Sequence, residues 1–220
     1  MDSSQVKRRR GRPPKFGEVG ATREALIRAG VIAFAEKGYS SIGLEELLGS
    51  VGVPKGSFYY YFASKETFGL EVIEAYTAYF TRKLDAWFGD DRVLPLDRIR
   101  NFAADAQAGM ARYDYHRGCV IGNLAQNMGA LPEDFRERLT DVFADWERRL
   151  ARVLSSALTR GDIGSDSDCD ELAAFFWVGW EGAVLRAKLE RSGRPLELFA
   201  RTFLTQLCRD QRGTLANYTI

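Results

Sequence analysis

Residues 43–68 read GLEELLGSVGVPKGSFYYYFASKETF, two short apolar-periodic runs joined through a glycine. Leu44, Leu47 and Leu48 fall on one side of a helix over roughly 43–50. Gly43 stands as its N-cap, with Glu46 three residues on as in a capping box. Gly52 breaks the run, and Pro54 opens a second helix over roughly 54–61, where a missing amide donor costs nothing. A turn this tight lets the second helix cross the first steeply, with Leu47, Leu48, Val53, Phe58 and Phe62 as the packed face. The pattern predicts a helix-turn-helix whose second helix offers Lys55, Gly56 and Ser57 to a major groove. Lys55 suits guanine acceptors or a phosphate, and Gly56 lets the backbone come close. Tyr59, Tyr60 and Tyr61 cannot all be buried in so short a helix, so at least one hydroxyl is expected to reach a phosphate. Lys65 adds its charge to the positive end of the next helix. The plainer reading is a generic helix pair with a tyrosine-rich surface.

Upstream, Leu26, Ile27, Ala29, Ile32, Ala33 and Phe34 recur at helical spacing from Thr22 to Lys37, and Gly38 ends the run. Before that lies a basic arm over residues 1–20, RRRGRPPK at its centre, which reads as disordered. Arg8, Arg9, Arg10 and Arg12 are candidate DNA contacts. The Arg10–Pro13 segment resembles an AT-hook core that lies in a narrow A·T-rich minor groove. A solvated tail held only by counterion release is the alternative. Charge follows the same division: the first 65 residues carry 11 Lys and Arg against 6 Asp and Glu, a net +5, while the remainder nets −4.

Downstream, Ser64 with Thr67 starts a long helix to about Phe88. Further helices are predicted over roughly 95–113, 119–129, 132–160, 168–191 and 195–211, Asp168 with Glu171 resembling a capping box. No stretch alternates like a strand, so the chain reads as all-α. A three-helix reading domain at 21–66 precedes a six-helix effector-binding and dimerisation domain at 67–212, and 213–220 form a tail. There is no membrane-length apolar run and no export signal, and the 3 cysteines are sparse and odd in number. A cytoplasmic protein is expected, without disulfides. With 1 histidine, the chain offers no four-ligand zinc cluster, and no metal or cofactor is expected.

GVPKGSFYYYFASKETF resembles the DNA-binding domain of the TetR family of transcriptional repressors. The resemblance implies an all-α homodimer, with three N-terminal helices for double-stranded operator DNA and about six for an effector pocket and dimer interface. It implies Lys55, Gly56, Tyr59, Tyr60 and Lys65 as DNA-contact positions. Gly43 and Pro54 stand where the family usually has Ser or Thr caps, and Tyr60 where many members have His.

The stretch HRGCVIGN, residues 116–123, holds the single histidine, a cysteine and an arginine. Three readings compete. As a nucleophile with a base, Cys119 lacks an evident third orienting group beyond His116. As a sensor, it sits near a helix N-terminus beside Arg117, and both would favour thiolate. As a packed residue, it is small and apolar beside Val120 and Ile121. GCVIGNLAQNMGALPEDFR and FWVGWEGAVLRAK resemble TetR-family members that respond to acrylate or to reactive electrophiles, over about residues 20 to 205. That resemblance implicates Cys119. A reversible small-carboxylate pocket, with Arg117 or Arg186 as charge partner, is the competing idea. Arg117, Asn123, Trp177, Trp180 and Arg186 make up, with Cys119, the candidate effector site. The tryptophans suit core or interface as well as a pocket wall. Cys169 lies among Asp166, Asp168 and Asp170, which oppose thiolate, and Cys208 reads as packing.

FFWVGWEGAVLRAKL, residues 175–189, is apolar around the helix, and Gly179, Gly182 and Ala183 permit close approach of another helix. With Leu198, Phe199, Phe203 and Leu207 of the last helix it would build a four-helix interface about a two-fold axis. Glu181 inside this run needs a partner. The expected function is a homodimeric repressor released from a palindromic operator by a small electrophile or carboxylate, its signal travelling through the helix at 64–88. A thiol-dependent enzyme and an architectural A·T-rich DNA binder are the alternatives.

Overall fold

The computed structural model describes residues 16–209, with side chains for 19–208. Arg8, Arg9, Arg10, Arg12 and the tail at 213–220 lie outside the described residues. Among these, nine α-helices and one short 3-10 turn make up all the regular structure.

Helix α1 (Phe16–Lys37) buries Leu26 and Phe34. It stops at Gly38, whose φ of +77° closes the end with an N–H to the Phe34 carbonyl at 3.2 Å. Helix α2 (Leu44–Ser50) has Gly43 as N-cap but no side-chain cap. The expected capping box is absent, because Glu46 reaches Lys37 at 2.5 Å instead. The helix expected from Pro54 is also shorter: residues 54–57 form turns, and α3 is the single turn Phe58–Tyr61. Gly56 at φ +84° explains the late start, since a left-handed residue cannot sit inside a right-handed helix. Helix α4 (Lys65–Phe88) is capped as expected, Ser64 accepting from the Thr67 N–H at 2.9 Å.

Helix α5 (Pro95–Ala111) leads through a turn to α6 (Val120–Ala125), six residues rather than eleven. Helix α7 (Glu133–Arg160) ends at the left-handed Gly161. Helix α8 (Cys169–Glu190) is capped by Asp168, which accepts from Asp170 and Glu171 N–H at 3.0 Å each. Helix α9 (Arg194–Arg209) is the last described. α1 packs on α4, α7 on α8, and α8 on α9. Phe58, Phe62 and Phe68 join Phe34 in the core under α1–α4, while Phe80, Phe102, Trp146, Phe176 and Trp177 stack through the larger bundle.

One face of α8 remains apolar and uncovered. Phe175, Val178, Leu185 and Leu189 follow one another at helical spacing, with Val178 and Leu189 75% and 77% exposed. Gly182, between them, has open space where a side chain would stand. Gly179 instead faces inward, admitting the Phe199 ring of α9.

Candidate functional site

The two faces of α3 divide its aromatic residues. Phe58 and Phe62 are buried, and Tyr59 and Tyr60 point outward at 68% and 62% exposure. Lys55 and Gly56 stand in the turn before it. The Lys55 ammonium meets Glu45 at 2.5 Å, both side chains largely exposed. Such a pair contributes about 0–1 kcal/mol, so exchanging Glu45 for a phosphate costs little. The Ser57 hydroxyl turns back to donate to the Pro54 carbonyl at 2.6 Å. Lys65 departs from expectation. Its ammonium donates to the Ile42 carbonyl at 3.1 Å and lies 4.7 Å from the Tyr39 ring centre, holding α4 to the loop before α2.

The second feature is a cavity of about 290 Å³ bounded by α1, α4, α5, α8 and the turn before α6. Its walls are mostly apolar, among them Phe80, Phe102 and Trp180. Cys119 closes one end. It is the N-cap of α6, its Sγ accepting from the Gly122 N–H at 3.4 Å, and is 9% exposed. Tyr76 and Glu181 flank it. Both line the same cavity as the sulfur, and the Glu181 carboxylate stands over Gly122. Burial pushes the thiol well above its usual value, and the nearby Glu181 charge pushes it further, against smaller opposing hydrogen bonds from Gly122 and Tyr76. The expectation of a resting thiolate is therefore overturned. A six-residue helix supplies little dipole, and Arg117 is committed to Glu36 at 2.8 Å and stacked 4.0 Å from the Tyr113 ring centre. Burial also raises Glu181, to about 7, the hydrogen bond from Cys119 working the other way.

Of the candidate effector residues, Cys119, Arg117 and Trp180 line the cavity. Trp177 does not: it is core, against Trp146 and Phe102. Arg186 faces out and pairs with Glu190 at 2.7 Å, so it is no charge partner for a cavity ligand. Asn123 binds backbone elsewhere, as described below. His116 is exposed and absent from the wall, which leaves Cys119 without a histidine base. Cys208 is exposed, against the packing reading, and Cys169 is partly so. Sequence reasoning missed Tyr76 and Arg112, both lining the cavity. It flagged Glu181 as needing a partner without finding Cys119, 62 positions away. Among the described residues no group of three or more His, Cys, Asp or Glu is placed to hold a metal ion. No described helix is long and apolar enough to cross a membrane.

Residues 26–72 match the family model described as bacterial regulatory proteins of the tetR family, and residues 95–203 match the tetracyclin repressor-like C-terminal domain. The chain is 51% identical over 197 residues to the transcriptional regulator AcuR of Cereibacter sphaeroides, covering 90% of each. This chain belongs to the TetR family of transcriptional regulators. It is also 33% identical over 180 residues to the transcriptional repressor NemR of Escherichia coli, 80% of this chain and 88% of that one. A crystal structure of a regulatory protein TetR from Rhodobacter sphaeroides superposes with a TM-score of 0.82 at 52% identity, covering 84% of this chain and 97% of that one. A TetR-family regulator is not an enzyme, so the catalytic reading of Cys119 falls.

In this TetR-family chain the cavity and the reading head share a seam. The Ala35 carbonyl, at the C-terminal end of α1, accepts from Asn123 Nδ2 at 2.7 Å, Lys188 Nζ at 2.9 Å and the Gly118 N–H at 3.4 Å. Asn123 Nδ2 also lies 3.2 Å from the Phe34 carbonyl. Terminal helix carbonyls lack intrahelical donors, so α6 and α8 supply them. Asn123 is thus a clamp rather than an effector contact. The turn that delivers Cys119 carries two consecutive left-handed non-glycine residues, Asp114 at φ 49° and Tyr115 at φ 58°. Such conformations persist only where surrounding contacts impose them.

Proposed function

We propose that this chain represses transcription as a two-fold dimer that binds a palindromic operator and releases it when a small electrophile adds to Cys119. The carrying observation is that one sulfur atom both faces the cavity and caps α6, the helix whose Asn123 holds the end of α1. Alkylation enlarges the sulfur and removes its S–H. The Gly122 cap and the Glu181 contact are then lost together, and the change passes to α1 through the Ala35 seam. Sequence reasoning carried the signal through the helices linking Cys119 to α4; Tyr76 on α4 lines the same cavity as the sulfur, so α4 and α1 both take part.

Residues 21–66 serve as the reading domain and 67–212 as the effector and dimer domain, with α4 crossing the boundary. Lys55, Gly56, Ser57, Tyr59 and Tyr60 contact DNA, with Lys65 acting on loop position, and Arg8, Arg9, Arg10 and Arg12 adding groove or phosphate contacts. The uncovered α8 stripe meets its two-fold copy, α9 alongside. Shifting a two-state repressor from mostly bound to mostly free requires about 5.5 kcal/mol of differential affinity, within reach of a covalent bond. A second reading, a reversible small carboxylate, has support in Arg112, an exposed guanidinium at the cavity wall.

The test is a gel shift on promoter DNA with and without N-ethylmaleimide. Wild-type complex should dissociate and Cys119→Ser complex should persist. Equal release of both removes the covalent sensor and leaves the carboxylate pocket.

A further inference from the structure

A buried neutral thiol is a poor nucleophile, because the thiolate is the reacting species. Cys119 is such a thiol, yet a backbone N–H, a phenol and a carboxylate stand around its sulfur. The Gly122 N–H stands 3.4 Å from Sγ, and Tyr76 of α4 lines the cavity beside it. Glu181, from α8, lines the same cavity. Among the described residues Glu181 has no ion-pair partner to justify its place in an apolar helix. Its carboxylate lies over Gly122, where any Cβ would meet Oε2 at 1.8 Å, so only glycine lets it reach this position. The other charges facing this end of the cavity are already engaged: Lys83 with Asp105 at 2.5 Å, Arg117 with Glu36 at 2.8 Å, and Lys188 with the Ala35 carbonyl at 2.9 Å. Arg112 stands exposed at the wall.

Resting on the sensor reading above, we propose that Glu181 is the proton acceptor that activates Cys119 toward activated alkenes. As sulfur bonds to the β-carbon, the S–H proton passes to the Glu181 carboxylate and the alkene π pair moves to the α-carbon as an enolate. Glu181 then returns the proton to the α-carbon. One S–H and one C–C π bond are broken, one S–C and one C–H bond are formed, and nothing is oxidised or reduced. Gly122 N–H and Tyr76 O–H hold the charge on sulfur while the proton is away. A carboxylate that titrates near 7 has the basicity this transfer needs at neutral pH.

The experiment measures the rate of Cys119 alkylation by N-ethylmaleimide in the full-length protein, followed on the Cys119 peptide by mass spectrometry across pH. The wild-type rate should rise with pH and level off above about 7, as Glu181 loses its proton. Glu181→Gln should react about 100-fold more slowly at neutral pH and keep climbing at higher pH without that plateau. Tyr76→Phe should react about tenfold more slowly with the plateau position unchanged, and it carries the test should Glu181→Gln not fold by circular dichroism. Glu181→Gln alkylated as fast as wild type, or faster, overturns the proposal and leaves Glu181 a like-charge brake. Wild-type Cys119 left unalkylated while DNA is still released overturns the sensor reading itself.

Discussion

Cys119 illustrates how a residue's neighbours in space outrank its neighbours in sequence. Arg117 and a helix start argue for thiolate along the chain, but the arginine is neutralised by Glu36 on α1 and burial dominates. Asn123 shows the same effect, serving α1 rather than a ligand. Asn123→Ala should lose two hydrogen bonds to the α1 carbonyls and about 1–2 kcal/mol of stability. It should also let N-ethylmaleimide alkylate Cys119 while blunting DNA release. Release as complete as wild type in a gel shift would mean the seam carries no signal. Lys55 is held only by an exposed pair with Glu45. Lys55→Ala should weaken operator binding by about 1–3 kcal/mol while leaving thermal stability unchanged. Unchanged affinity in fluorescence anisotropy would remove Lys55 from the DNA interface.

At the scale of elements, the caps and breaks in the chain were readable because they are local. Ser64, Asp168, Gly38 and Gly52 act on backbone groups within a few positions of themselves. Helix lengths near the turns were less so: α3 and α6 are each shorter than their periodicity implies, since Gly56 turns left-handed and Cys119 stands outside its helix as a cap. Helix α8 reads as apolar all round, and only packing separates its Gly179 face, filled by Phe199, from its open Gly182 face. Leu189→Glu on the open face should yield a monomer in analytical ultracentrifugation, because a charge in a dimer interface costs several kcal/mol. It should lose operator affinity with it. A dimer that survives this change would place the interface elsewhere.

For the whole molecule, Glu181 links pH to stability. Its carboxyl is raised from 4.5 to about 7 by burial, so the folded chain binds a proton more tightly than the unfolded one. The resulting stabilisation is complete below about 4.5 and is lost as pH rises through about 7. Over that window it amounts to at most about 3 kcal/mol. Chemical denaturation at pH 6 and pH 8 should show wild type less stable at pH 8, and Glu181→Gln should reduce the difference. An identical difference in the variant would assign it to other groups. The all-α class and the helix-turn-helix with its outward tyrosines were legible along the chain, because periodicity, turn chemistry and the motif at 43–68 are short-range properties. The meeting of Cys119 with Tyr76 and Glu181, the engagement of Lys65 and Arg117, and the seam at Ala35 were decided only by tertiary packing. Each joins residues from helices distant in sequence, and a charge or a thiol takes its chemistry from whatever the fold places within a few ångströms of it.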